Sequence, residues 1–279
     1  MEIYFSSPNR IEWIQTVSKS ARLTDMEIII RLSDEIWPDD LYPFHIVSLA
    51  CMIQSSKERG SSVSIRNNRI GRYIYNELNF GHYFKDDAGY IPASQETIFN
   101  LWRIKQDQMD TFGFLVTNYF RQSFFKEKDL SGVKLSLTEA FYNIFDHADA
   151  KGNAFSMLKY DDRLKRLNVA VCDFGCGIPQ NVRKIVKVES DKEALGYAIK
   201  ELWTTQSTTH NRGMGLSNIR NSCTEKDFFG IVSGRGVLVA NKYGEKKFDL
   251  DDCFPGTLIY YDLTLSNFED EEIIDSFAF

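Results

Sequence analysis

Between Glu139 and Leu216 the chain has little choice of local structure. TEAFYNIFDHADA sets Glu139, Asn143 and His147 four residues apart, which predicts a helix with the three side chains stacked along one face. Phe141, Ile144, Phe145 and Ala148 point elsewhere and can bury. A carboxylate, an amide and an imidazole in line suit a working surface, although Glu and Asn also scatter over ordinary solvated helix faces. Residues 164–172, LKRLNVAVC, alternate as a strand does, and Asp173 stands where that strand would end. Phe174, Gly175, Cys176 and Gly177 then turn the chain sharply before Ile178–Pro179. Glycine admits positive φ here and lets a ligand approach with no Cβ in the way. A second turn, Arg212–Gly213–Met214–Gly215, precedes the amphipathic stretch Leu216–Cys223. It predicts free N–H groups at a helix start, which suit a phosphate.

Over roughly residues 112–265 these parts resemble the ATP-binding domain of the GHKL ATPases, shared by gyrase, histidine kinases, the heat-shock chaperone of that superfamily and mismatch-repair ATPases. Glu139, Ala140, Asn143, His147 and Ala148 match the family's N box, E-A-x-x-N-x-x-x-H-A. Asp173, Gly175, Gly177 and Ile178 match the first glycine box, D-x-G-x-G-I, and Gly213, Gly215 and Leu216 match the second, G-x-G-L. Pro255–Gly256–Thr257 before LIYYDLTL is similar to the last box, where a Gly-Thr pair opens a strand beside the adenine.

The resemblance implies a two-layer α/β sandwich with a mixed sheet and helices on one face. It implies that Asp173 accepts a hydrogen bond from the adenine amino group, with Thr257 assisting through its hydroxyl or a water. Gly175, Gly177 and Ile178 would shape the loop against which the base lies. Asn143 would hold a Mg²⁺ bridging the phosphates, an ion that takes few protein ligands and keeps several waters. Backbone amides around Gly213 and Gly215, with Arg212, Met214 and Leu216 beside them, would cradle those phosphates. Glu139 falls where the family places a general base for water or a hydroxyl nucleophile, a role worth about 10²–10⁴-fold. His147 closes the N box, as a binding or as a structural histidine. Residues 189–212 fall where the family has its ATP lid, and the polar run Thr204–Thr209, with Ser207 and Thr208, is expected to close over the triphosphate. An ordinary surface loop is the other reading of that run.

A chain of 279 residues exceeds the usual single domain, so two are expected, 1–110 and 111–279. With 43% hydrophobic and 26% charged residues it reads as a soluble globular protein with apolar surface enough for real cores. A net charge of −6 and a pI near 5.4 argue against a general grip on nucleic acid. Cys51, Cys172, Cys176, Cys223 and Cys253 form no C-x-x-C pair and read as reduced thiols in a cytoplasm. No apolar run reaches the ~18–20 residues of a membrane span, and the start does not read as a signal peptide.

MEIYF is predicted as an edge strand, RIEWIQTV as a short helix and MEIIIRLS as a strand. FHIVSLACMIQSS has helical length and is apolar on most sides; SSVSIR reads as a strand and NRIGRYIYNELNF as a helix closed by Gly81. This alternation is an α/β pattern. Its order resembles a STAS-like domain, the fold of anti-sigma-factor antagonists. Where that family carries a phosphorylatable Ser or Thr, this chain has Tyr42–Pro43–Phe44–His45, with Ser48 a turn further in. A docking or sensing unit is therefore expected here. Residues 82–110, with Tyr90–Ile91–Pro92 and then ETIFNLWRIKQDQMD, are predicted as linker and then helix, and GFLVTNYFRQSFF as a second apolar helix. FFGIVSG, GVLVANKYG and GTLIYYDLTL are predicted as three strands joined by glycine-bearing turns, followed by an acidic tail.

For function, the resemblance implies a regulatory protein that binds ATP and Mg²⁺, hydrolyses ATP slowly and answers to a protein partner. The alternatives are a protein serine/threonine kinase of the anti-sigma type and a nucleotide-binding interaction module without turnover. A sensor histidine kinase is disfavoured because no histidine sits in an H-E/D-x-x-x-P phosphoacceptor helix. A topoisomerase or chaperone is disfavoured because the chain ends soon after the ATP-binding region. Dimers are common in the superfamily, which leaves open a homodimer that completes the site.

Overall fold

The computed structural model describes residues 1–85, 89–126, 128–147, 154–200 and 227–264, with Asn143, Asp146 and His147 described by backbone alone. The chain opens with β1 (Glu2–Phe5), α1 (Arg10–Ser20), β2 (Glu27–Leu32), α2 (Pro43–Glu58), β3 (Ser62–Ile65) and a helical turn, α3 (Arg69–Arg72). Local chemistry sets these bounds. The Asn9 carboxamide accepts from the Ile11 and Glu12 amides to start α1, and Pro43 opens α2 at the position where a missing N–H costs nothing. In β2, Ile28, Ile30 and Leu32 bury while Ile29 faces out, the two-residue period of a one-sided strand. The strands form a parallel sheet in the order β1-β2-β3. The predicted helix over NRIGRYIYNELNF is broken: α3 passes into a π-turn over Tyr73–Glu77, and Asn79 takes a left-handed conformation before Gly81.

The second sheet is built from β4 (Ile98–Ile104), then, after α4 (Met109–Ser123) and α5 (Ser131–His147), from β5 (Ala154–Asp161) and β6 (Arg166–Asp173). Two short helices, α6 (Ile178–Val182) and α7 (Asp191–Ala198), precede β7 (Phe228–Asn241) and β8 (Gly244–Thr264). The order is β4-β5-β6-β8-β7, and all four pairings are antiparallel, so the expected mixed sheet is corrected to an antiparallel one. The linker and helix expected over ETIFNLWRIKQDQMD are also corrected. The central residues of that stretch, Ile98–Ile104, form β4, where Ile98, Phe99, Leu101, Trp102 and Ile104 are all buried. A strand covered on both faces is a continuous apolar run, which periodicity cannot tell from a buried helix. The three C-terminal strands are in fact two long ones. FFGIVSG and GVLVAN belong to one strand whose register shifts between Ser233 and Gly236, and the charged stretch KKFDLDD is the first half of β8.

The five-stranded sheet has helices on both faces, where one covered face was expected. On one side Phe112, Val116 and Phe120 of α4 and Leu137 and Phe141 of α5 join Val169, Val171, Phe229, Ile231, Ile259 and Tyr261 of the sheet. On the other, Trp13 and Val17 of α1 and Val47, Ala50 and Cys51 of α2 share a core with Phe155, Met157, Ala170, Cys172, Val232, Leu258 and Tyr260. Four layers result, and α2 lies between two sheets. That position accounts for its apolar character all round, since a helix buried on every side has no polar face to present. Ser48 is buried within it, accepting from the Trp13 indole at 3.1 Å and donating to the His45 carbonyl at 3.1 Å. The junction is locked at its rim by Arg10. Its guanidinium lies 3.6 Å from the Asp262 carboxylate and 5.0–6.0 Å from the ring centres of Phe228, Tyr260, Phe44 and Tyr42. Among the described residues no helix is long and apolar enough to cross a membrane.

Candidate functional site

Strand alternation decides where Asp173 points. Cys172 belongs to the core shared with α2, and the thiol of Cys51 donates to its carbonyl oxygen at 3.1 Å. The next residue therefore turns to the α5 side, together with Val169 and Val171. Register then sets Asp173 opposite Ala154 on β5 and Thr257 on β8, and Thr257 opposite Ser233 on β7. Directly opposed residues in an antiparallel pair project from the same face. Ala154, Asp173, Thr257 and Ser233 thus form one row across four strands, beneath the side on which α5 packs. The hydroxyls of Ser136 on α5 and Tyr261 on β8, 2.6 Å apart, tie that helix to the sheet.

The loop after Asp173 is held against β8 with no room to spare. Gly175 donates its amide to Asp173 Oδ1 at 2.7 Å, and Ile178 donates its amide to Ser233 Oγ at 2.9 Å. Gly177 has φ +75°, and a Cβ there would meet Ser233 Oγ at 2.9 Å and Gly256 O at 3.1 Å. Gly256 has φ +79°, and a Cβ there would lie 2.2 Å from the carbonyl oxygen of Asp173. Each glycine serves both a left-handed backbone and a close approach of one chain segment to another. Phe174 turns edge-on to Phe254, 5.3 Å between ring centres.

Asp173 is fully buried, and its Oδ2 has no hydrogen-bond partner among the described residues. Burial pushes its carboxyl from 3.8 up to about 7, against the pull of the Gly175 and Thr257 amides. A buried oxygen without a partner costs free energy unless something else supplies a donor. Ser233 joins the parts: besides Ile178 it bonds Gly256 O at 2.6 Å and Thr257 Oγ1 at 3.1 Å.

The structure therefore brings together Asp173, Gly175, Gly177, Ile178 and Thr257 from the predicted residues. Glu139 lies on α5, half-buried, and burial raises its carboxyl above the usual range. Asn143 and His147 follow it on the same helix, their side chains outside the described residues. Ser207, Thr208, Arg212, Gly213, Met214, Gly215 and Leu216 also lie outside them, as does the polar end of the expected lid. The first part of that lid is a packed helix: Ser190 caps α7, and Ala194 and Leu195 bury in the core.

Two residues escaped the sequence reading. Ser233 stands between the apolar run FFGIV and the tripeptide Gly234–Arg235–Gly236, whose two glycines are the sequence signal for a strand irregularity. Asp191 opens α7, where its carboxylate accepts from the Arg235 amide at 2.7 Å and pairs with Arg183 at 2.6 Å. It fixes α7 to that same bulge. Comparison of the chain with protein-family models gives no match, and comparison with curated proteins gives none either.

Proposed function

We propose that the chain is a regulatory protein that binds ATP with Mg²⁺ in a GHKL-type site and hydrolyses it slowly, with the N-terminal three-stranded unit, STAS-like in its order of elements, serving a protein partner. The observation that carries this reading is the unpartnered Oδ2 of Asp173, buried at the end of β6 beside Thr257 and a loop that two glycines bring against the sheet. The purine amino group is a donor of the kind this oxygen lacks, so the residues present fit the base. Asp173 would hold the amino group, Gly177 would keep the loop surface free of a Cβ, and Asn143 would hold the metal. Glu139, half-buried on the helix over the same sheet face, would orient the attacking water. Bound Mg²⁺ would neutralise charge on the phosphates; the phosphate cradle falls to the segment around Gly213 and Gly215.

Titration calorimetry with a non-hydrolysable ATP analogue and Mg²⁺ tests this directly. Saturable one-site binding that Asp173→Asn weakens supports it, and wild-type protein that takes up no nucleotide overturns it. With γ-labelled ATP, free phosphate and unlabelled protein are expected; label transferred to a partner protein would move the reading to a kinase.

A further inference from the structure

Ser233 has one proton and two lone pairs, and its neighbours use all three. The carbonyl oxygen of Gly256, 2.6 Å away, can only accept, so it takes the Ser233 proton. The amide of Ile178, 2.9 Å away, can only donate, so it takes one lone pair. The third neighbour is the hydroxyl of Thr257 at 3.1 Å. With the Ser233 proton spent, Thr257 must donate its own proton to the remaining lone pair. Thr257 is then left with acceptor capacity alone, directly across the strand pair from Asp173, whose free oxygen is also an acceptor once the carboxyl is ionised.

The geometry points to Ser233 as a positioning residue that fixes Thr257 as an acceptor, so that the site takes a ligand offering two N–H donors on one nitrogen, an exocyclic amine, and turns away its oxo analogue. This rests on the nucleotide reading above and adds the selectivity to it. An oxo group in the same place would face two acceptor oxygens and leave them unpaired, the situation in which polar sites discriminate most strongly.

The test compares ATP with ITP, which carries an oxo group where ATP has its amine, by calorimetric dissociation constants at pH 8.5, where the Asp173 carboxyl is ionised. Wild-type protein is expected to bind ITP at least about 100-fold more weakly than ATP. Ser233→Ala frees the Thr257 hydroxyl to rotate and donate, so the ITP-to-ATP ratio should fall about tenfold, as expected for one recovered hydrogen bond. Because Ser233 acts through Thr257, Ser233→Ala on a Thr257→Val background should leave the ratio of the single Thr257→Val variant unchanged. Should Ser233→Ala not fold, Thr257→Ser and Thr257→Val carry the same comparison: serine should keep the discrimination and valine should lose it. The inference is overturned if Ser233→Ala weakens both nucleotides by one factor, if it shifts the ratio equally without the Thr257 hydroxyl, or if the serine and valine variants discriminate alike. A wild type that binds ATP and ITP equally overturns this inference and spares the nucleotide reading; a wild type that binds neither overturns both.

Discussion

The thiol of Cys51 donates to the carbonyl oxygen of Cys172 at 3.1 Å, which places α2 directly behind the strand that ends in Asp173. Removing residues 1–66 would uncover Phe155, Met157, Ala170, Val232, Leu258 and Tyr260 together, a continuous apolar face of the five-stranded sheet. Exposed patches of that kind mark aggregation. The truncated chain is expected to be insoluble or to melt without cooperativity. The full chain should unfold in one transition, with the fluorescence of Trp13 and Trp102 changing at the same denaturant concentration when each is followed alone. A truncated form with a sharp melt of its own would show that the halves are separable.

Asp173→Asn should act in opposite directions on stability and on binding. Replacing the buried carboxyl by an amide removes a charge that the apo protein shelters poorly at pH 8, where about 1.4 kcal/mol is lost for each unit by which the folded pKa exceeds the unfolded one. Differential scanning calorimetry should therefore show a raised Tm, by roughly 2–4 °C per kcal/mol recovered. Nucleotide affinity should fall by roughly 1–3 kcal/mol, the cost of a lost hydrogen bond to a charged group. A variant that melts lower and binds as well as wild type would contradict both halves.

The pH profile separates Asp173 from His45. Asp173 is raised from 3.8 to about 7, so the stability it contributes is full below pH 3.8 and is lost as pH rises through 7. The margin of Asp173→Asn over wild type should accordingly widen from pH 4 to pH 7 and then level off. His45 runs the other way. Burial lowers it from 6.5 to about 3, the ring standing 3.0 Å from the Pro8 carbonyl and accepting from the Tyr42 amide at 2.9 Å. Its contribution is full above pH 6.5 and is lost as pH falls towards 3, at about 1.4 kcal/mol per unit. His45→Ala should be less stable than wild type at pH 8, and chemical denaturation should find the gap narrowing steadily below pH 6.5.

Glu139→Gln should leave the affinity for the ATP analogue within about threefold of wild type while phosphate release drops by about 10²–10⁴, the range for a general base. Binding and turnover lost together would assign Glu139 to the architecture of α5 instead.

Much of this was readable in advance where local chemistry decides. MEIIIRLS reads as a strand, RIEWIQTV and FHIVSLACMIQSS read as helices, and Asp173 with Gly175 and Gly177 reads as a turn at a strand end, all as the structure has them. What stayed hidden depends on partners distant in the chain. Ile98–Ile104 reads as helix or strand until β5 pairs with it and both of its faces fill. Gly256 looks like a simple strand opener, and only the 2.2 Å from its absent Cβ to Asp173 O shows why no other residue fits. Ser233 gains its importance solely from Ile178, Gly256 and Thr257, two of them more than twenty positions later and one far earlier.

Helix α2 fills both interiors at once. A methyl gained at Ala50, or a change of bulk at Cys51, would be felt in the three-stranded sheet and in β6 alike, because close-packed interiors pass on changes of volume. Substitutions drifting through the first sixty residues are therefore answerable to the geometry around Asp173. Among the described residues there is no neutral joint at which one half could be exchanged like a cassette for that of another protein.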